Sequence, residues 1–156
     1  MPRLDRLAEL GRKNLLRLPV PVNDTAPFSP LSRPLPAGRL AIVTTAGFHR
    51  RDDRPFAPGE QAFRVIPADA PAAEIVQSHT SLGFDRVATM RDLNISYPVD
   101  RLRELIARGE LAGTGPSHYS FMGAQRDVRR IHEETGPEVG RRLREAGVDV
   151  ALITPT

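Results

Sequence analysis

The chain has 156 residues, 22 of them basic and 19 acidic, with no Cys and no Trp. Its length suits one compact domain, and 40% hydrophobic with 26% charged residues are ordinary globular values. Zero Cys excludes a disulfide framework, a zinc-thiolate site and a thiol nucleophile within these residues.

Charge is unevenly placed. Arg3, Arg6, Arg12, Lys13 and Arg17 against Asp5 and Glu9 account for the whole net charge of +3, so the remainder is neutral. A nucleic-acid binder would carry a basic stripe on its folded body with aromatic stacking platforms, and neither is visible. No run approaches the roughly 18 apolar residues needed to cross a bilayer, and the N-terminus lacks a secretory pattern. The expectation is a cytoplasmic protein with neither nucleic acid nor membrane as partner.

Residues 4 to 18 place Leu4, Leu7, Ala8, Gly11, Leu15 and Leu18 at helical spacing, which predicts an amphipathic helix. Pro19, Pro21, Pro27, Pro30, Pro34 and Pro36 then make a Pro-rich connector ending in Gly38, because Pro at this spacing forbids regular helix or central strand. Residues 1–38 are therefore read as helix and connector, and 39–156 as an α/β domain.

"RLAIVTTAG" is a short apolar run closed by Gly47, as expected of a strand buried on both faces. "FRVIP" and "EIVQSH" are further strand candidates, residues 49 to 61 are polar, and residues 80 to 96 are ambiguous. Pro98 followed by Val99, Leu102, Leu105 and Ile106, with Gly109 beyond, predicts a helix from about 98 to 108. "ELAGTG" reads as a short strand and "SHYSFMG" as a loop. Residues 125 to 146 read as one or two helices with Val128, Ile131, Val139, Leu143 and Ala146 inward, Pro137 starting the last and Gly147 capping it. "VDVALIT" reads as a core strand. This alternation predicts an α/β fold: a mainly parallel sheet flanked by helices, preceded by the amphipathic helix and the connector.

In such sheets ligands bind outside the carboxyl ends of the strands. The turn "TTAGFH" supplies Thr44, Thr45, Gly47 and His49 to that edge, "SHYSFMG" supplies His118, and the last strand supplies Thr154 and Thr156. His79 ends a strand candidate and is placed with them. His exchanges protons near neutral pH, so His49 and His118 are expected to meet there. The bland alternative is that each merely hydrogen-bonds loop backbone. His49, His79 and His118 could instead be metal ligands, although their spacing matches no recognised ligand pattern. His132, in "RRIHEE", reads as solvated. Asp52, Asp53, Asp92, Asn94 and Asp100 read as solvated faces or helix-terminal groups, with Asp92 and Asn94 given a speculative place at the site. No GxGxxG, GxxxxGK[ST] or GxSxG spacing occurs, which excludes a phosphate cradle and a Ser117 or Ser120 nucleophile elbow.

Taken together, "LAIVTTAGFH", "FRVIP", "RDLNISYPVDRLRELIARGELAG", "SHYSFMG" and "PEVGRRLREAGVDVALITPT" resemble, in order and spacing, the selenoprotein B subunits of glycine, betaine, sarcosine and D-proline reductases. The likeness covers about residues 39–156. It implies an oxidoreductase component that cleaves a carbon–nitrogen bond of a small amine or amino-acid-derived substrate. It also implies a selenocysteine nucleophile directly after the Thr-rich end of the last strand, partner reductase subunits, and on one of them a pyruvoyl group. The selenocysteine is not in this chain, which holds no cofactor group of its own. The expectation is that the sequence stops before a UGA codon, leaving a truncated chain that is inactive alone. The alternatives are a non-catalytic α/β module that binds a ligand or subunit and, behind it, a His-based metal enzyme.

Overall fold

The computed structural model describes residues 4–17, 24–25, 28–81 and 84–155. Leu18, Pro19, Pro21, Pro27 and Thr156 lie outside them. The chain forms two compact units, Met1–Pro30 and Leu31–Thr156. In the first, a 3-10 turn at Leu4–Arg6 precedes helix α1, Glu9–Leu16, which is shorter than the expected helix. Lys13 pairs with Glu9 one turn earlier at 2.7 Å.

The second unit is built on β1 (Arg39–Thr44), which lies inside the sheet. One edge of β1 pairs in parallel with β7 (Val150–Thr154) along Leu40 to Thr44. The other pairs in parallel first with β5 (Gly113–Thr114) and then with β6 (Ser117–Phe121). An antiparallel strand, β3 (Phe63–Pro67), closes the far side against β6. The sheet is thus mixed and mainly parallel, as the alternation predicted. Asp149 sets the β1–β7 register at its start. Its carboxylate accepts the Arg39 N–H at 2.9 Å, while its own N–H donates to the Arg39 carbonyl at 2.9 Å.

Alternate side chains of β1 supply two cores. Leu40 and Ile42 face helix α3 (Val99–Ala107), whose buried Val99 and Leu102 join them with Ile66, Phe48 and Tyr97. Val43, Tyr119 and Phe121 face helix α4 (Gly136–Glu145), which contributes Val139 and Leu143. Each fully buried aliphatic side chain stabilises the fold by about 1.5–3 kcal/mol, so these two stripes fix which face each helix covers. Pro137 opens α4, and Gly147, at φ +66°, follows its end, as read from the sequence.

Several expectations are corrected. "SHYSFMG" is not a loop: its first five residues are β6, buried at four of five positions, and backbone pairing on both sides carries its polar residues into the core. His49 lies in strand β2 (Phe48–Arg50), which pairs antiparallel with β4 (Ile75–Gln77) in a separate two-stranded sheet. The segment of residues 80 to 96 contains helix α2 (Arg86–Arg91), capped by the Asp85 carboxylate, and a 3-10 turn at Leu93–Ile95. Among the described strands β7 pairs only with β1, so it is an edge strand rather than an interior one, and Ile153 is 64% exposed. Val128 faces solvent, because α4 is preceded by a π-helical turn at Ile131–Thr135 instead of a continuous helix from 125.

Candidate functional site

The carboxyl ends of β1 and β7 converge on one backbone carbonyl. Thr44 and Thr154 are register partners, and their hydroxyls donate to the Ser96 carbonyl at 3.0 and 2.9 Å. Thr44 Oγ1 also accepts the Ala46 N–H at 3.2 Å, so one buried hydroxyl holds both the incoming Ser96 segment and the turn that follows β1. The Thr45 N–H donates to the Thr154 carbonyl at 3.2 Å, continuing the ladder one residue further. Four of the sequence-selected residues are therefore joined or adjacent here: Thr44, Thr45, Gly47 and Thr154.

Gly47 turns the chain at φ +68°. A side-chain carbon there would lie 3.2 Å from the His79 backbone nitrogen, so Gly lets the His79 backbone pass this close without having to give way. The Gly47 N–H donates to the Phe121 carbonyl at 2.9 Å and its carbonyl accepts the Ser78 N–H at 3.0 Å, tying the end of β6 to the segment after β4. The Gln77 amide adds a bond to the Ala46 carbonyl at 2.9 Å.

The three histidines near this turn are all buried and differently engaged. His49 Nδ1 donates to the Arg50 carbonyl at 2.7 Å, and its Nε2 shares a hydrogen bond with the Ser78 hydroxyl at 2.6 Å. His79 Nδ1 accepts the Ser81 N–H at 3.2 Å while its ring packs on Phe84. Burial lowers its pKa, and Arg86 lowers it further. His118 Nδ1 accepts the Ile42 N–H at 3.0 Å from the middle of β1. Burial, with Arg103 adding to it, pushes its pKa down to about 4. His49 and His118 belong to different sheets. Among the described residues no group of three or more His, Cys, Asp or Glu is placed to hold a metal ion. His132 is exposed.

Asp92 and Asn94 are accounted for by capping. Asp92 accepts the Asn94 N–H at 2.9 Å, and the Asn94 amide bridges Asp92 to Asp100, each at 3.0 Å. Asp100 in turn opens α3. Sequence reasoning missed Ser96, Tyr97, Gln77 and Ser120. The only signal for Ser120 was alternation within "SHYSF", and Ser96 gave none, because its backbone rather than its side chain meets the two threonines.

Two concavities flank this edge. One, about 520 Å³, lies on the α4 face between Val43, Phe121, Ile131, Leu143 and Ile153, with Thr45 and Gln125 as polar lining. Beside it Ala124 adopts φ 54°, unusual for a residue with a side chain. The other, about 840 Å³, is bounded by Phe48, Val76, Gln77, Arg86, Met90 and Asn94.

These features define an α/β protein with a mainly parallel sheet whose strand ends converge, through threonine hydroxyls and a glycine turn, on a buried polar cluster. The chain belongs to the glycine/sarcosine/betaine reductase selenoprotein B family, whose pattern it matches over residues 11–156. It is 37% identical over 136 residues to the D-proline reductase subunit gamma of Acetoanaerobium sticklandii, covering 86% of this chain and 55% of that one. It is 25% identical over 150 residues to the sarcosine reductase complex component B subunit beta of Peptoclostridium acidaminophilum, covering 94% of this chain and 34% of that one. The same figures hold for the glycine reductase complex component B subunit gamma of Carboxydothermus hydrogenoformans. The chain spans about half the length of the first relative and a third of the others. No solved structure matches it. Among the described residues no helix is long and apolar enough to cross a membrane.

Proposed function

We propose that this chain is the α/β part of a selenoprotein B-type reductase component that takes part in reductive carbon–nitrogen cleavage of glycine, betaine, sarcosine, D-proline or a related amine. The observation that carries this reading is the family match over residues 11–156 in a chain with no Cys. The redox residue is then supplied by polypeptide outside these residues, as the relatives' greater length allows. The expected residue is a selenocysteine, and a pyruvoyl group belongs to a partner subunit.

Within that reading, the residues present build the floor of the site. The Thr44–Thr154–Ser96 junction holds the strand ends in register, and Gly47 brings the His79 segment against them. Such a scaffold positions a nucleophile without supplying one, in keeping with reactive groups sitting at the carboxyl ends of parallel strands.

A second reading, a ligand- or subunit-binding module without catalysis of its own, is favoured by one observation. Edge strand β7 exposes apolar Leu152 and Ile153, and Ile153 also lines the apolar concavity. One assay separates the readings from an independent enzyme: the purified 156-residue chain, with a dithiol as donor, should turn over none of the four substrates. Turnover by metal-free protein would overturn both.

A further inference from the structure

Three buried polar side chains on the α3 side of the sheet share a feature the strand-end junction does not use. Tyr97, His118 and Ser120 are each 5% exposed or less, and Tyr97 Oη, His118 Nε2 and Ser120 Oγ have no hydrogen-bond partner in the protein. His118 and Ser120 are two apart on β6 and so point to the same face. The Tyr97 ring meets the His118 ring edge-on, centroids 5.6 Å apart at 77°. Both Tyr97 and His118 feel the positive charge of Arg103 on α3.

The hydrogen inventory is fixed by the backbone. The Ile42 N–H can only donate, so His118 Nδ1 is the bare acceptor and the neutral ring carries its hydrogen on Nε2. The cluster thus holds one obligatory donor and two hydroxyls, each able to donate or accept. Leaving such groups unmade costs about five- to a hundredfold each in the folding equilibrium, and native interiors rarely tolerate two or three together. None of the three atoms bonds another, so each lacks a partner of the kind that a small polar mediator such as water supplies. A water can accept from Nε2–H and bond both hydroxyls, which is the usual coordination of a buried water.

We propose that Tyr97, His118 and Ser120 hold an ordered internal water beneath the strand-end turn, bound to His118 Nε2–H and shared by the two hydroxyls. Ser120 is the register partner of Thr44, so this water links the middle of β6 to the junction at the end of β1. It partners the Nε2–H that the Ile42 N–H dictates on His118, and keeps that face of the sheet polar without opening it to solvent.

A crystal structure of the 156-residue chain at high resolution tests this directly. The expected result is one water peak within hydrogen-bond distance of all three atoms. Stability measurements give a second readout. Tyr97→Phe and Ser120→Ala should each lower the folding equilibrium constant about five- to tenfold, and the double variant should lose less than the product, because one water serves both. Two outcomes would overturn the proposal. One is density showing no such water, including a direct bond from Nε2 to a protein atom. The other is a pair of hydroxyl deletions that are neutral or stabilising and combine multiplicatively.

Discussion

Replacing Thr44 by Val keeps shape and burial while deleting the hydroxyl at the centre of the junction. In the wild type that oxygen donates to the Ser96 carbonyl and accepts the Ala46 N–H, and Thr44 is fully buried. The variant leaves the Ala46 N–H without this partner, while the Ser96 carbonyl keeps the Thr154 hydroxyl. An orphaned buried backbone donor costs about 1–3 kcal/mol, so Thr44→Val should destabilise the fold by about 2 kcal/mol. Thr154→Val should cost less, about 0.5–1 kcal/mol, because Thr154 is half-buried and Thr44 still serves the carbonyl. Removing both strips the carbonyl of both hydroxyls, so the double variant should exceed the sum by about 1 kcal/mol. Urea unfolding followed by circular dichroism measures all three. With a slope of about 2 kcal/mol per molar, Thr44→Val should lower the midpoint by about 1 M. A Thr44→Val shift under about 0.2 M, or strict additivity in the double variant, would refute the shared-carbonyl account.

Stability should also fall on mild acidification. Burial first, and Arg103 second, depress the folded-state pKa of His118 to about 4, whereas in the unfolded chain it titrates at about 6.5. Between those values only the unfolded chain takes up the proton, so this stabilisation is complete above about pH 6.5 and lost progressively down to about pH 4. The loss is about 3 kcal/mol, His79 shifts in the same direction, and His118→Gln should flatten most of the slope. A wild-type stability independent of pH across that window would contradict the buried, neutral His118. Gly47→Ala combines a left-handed backbone with a side-chain carbon 3.2 Å from the His79 backbone nitrogen, and should cost about 2 kcal/mol in thermal or urea unfolding. A neutral Gly47→Ala would mean that the turn relaxes and that His79 is not held by it.

Much of the fold was legible because burial leaves a pattern. β1 reads as an interior strand since "LAIVT" is apolar on both faces, and both faces are indeed covered, by α3 and α4. Pro137 and Gly147 announce the ends of α4 through backbone restrictions that any sequence displays. "VDVALIT" carries the same apolar signature as β1, yet apolarity reports that a surface is suited to being covered and not which strand stands next to it. β6 failed for the opposite reason, since His118 and Ser120 make a buried strand look like a loop. The junction itself was half legible: Thr44 and Thr154 could be placed at the sheet edge, but their common partner is a Ser96 carbonyl, and every residue has a carbonyl. His49 and His118 were grouped as loop residues, whereas each is held within a strand and its ring is tied to neighbouring backbone or Ser78.

The central claim, that these 156 residues are the scaffold of a reductase component whose redox residue lies elsewhere in polypeptide, is tested most directly on the native protein. Antibodies raised against this chain can recover it from its source for intact-mass and selenium analysis. The account predicts a polypeptide longer than 156 residues that contains selenium, whose alkylation at the selenol abolishes reductase activity. A selenium-free native protein of 156 residues, active or inactive by itself, would contradict it.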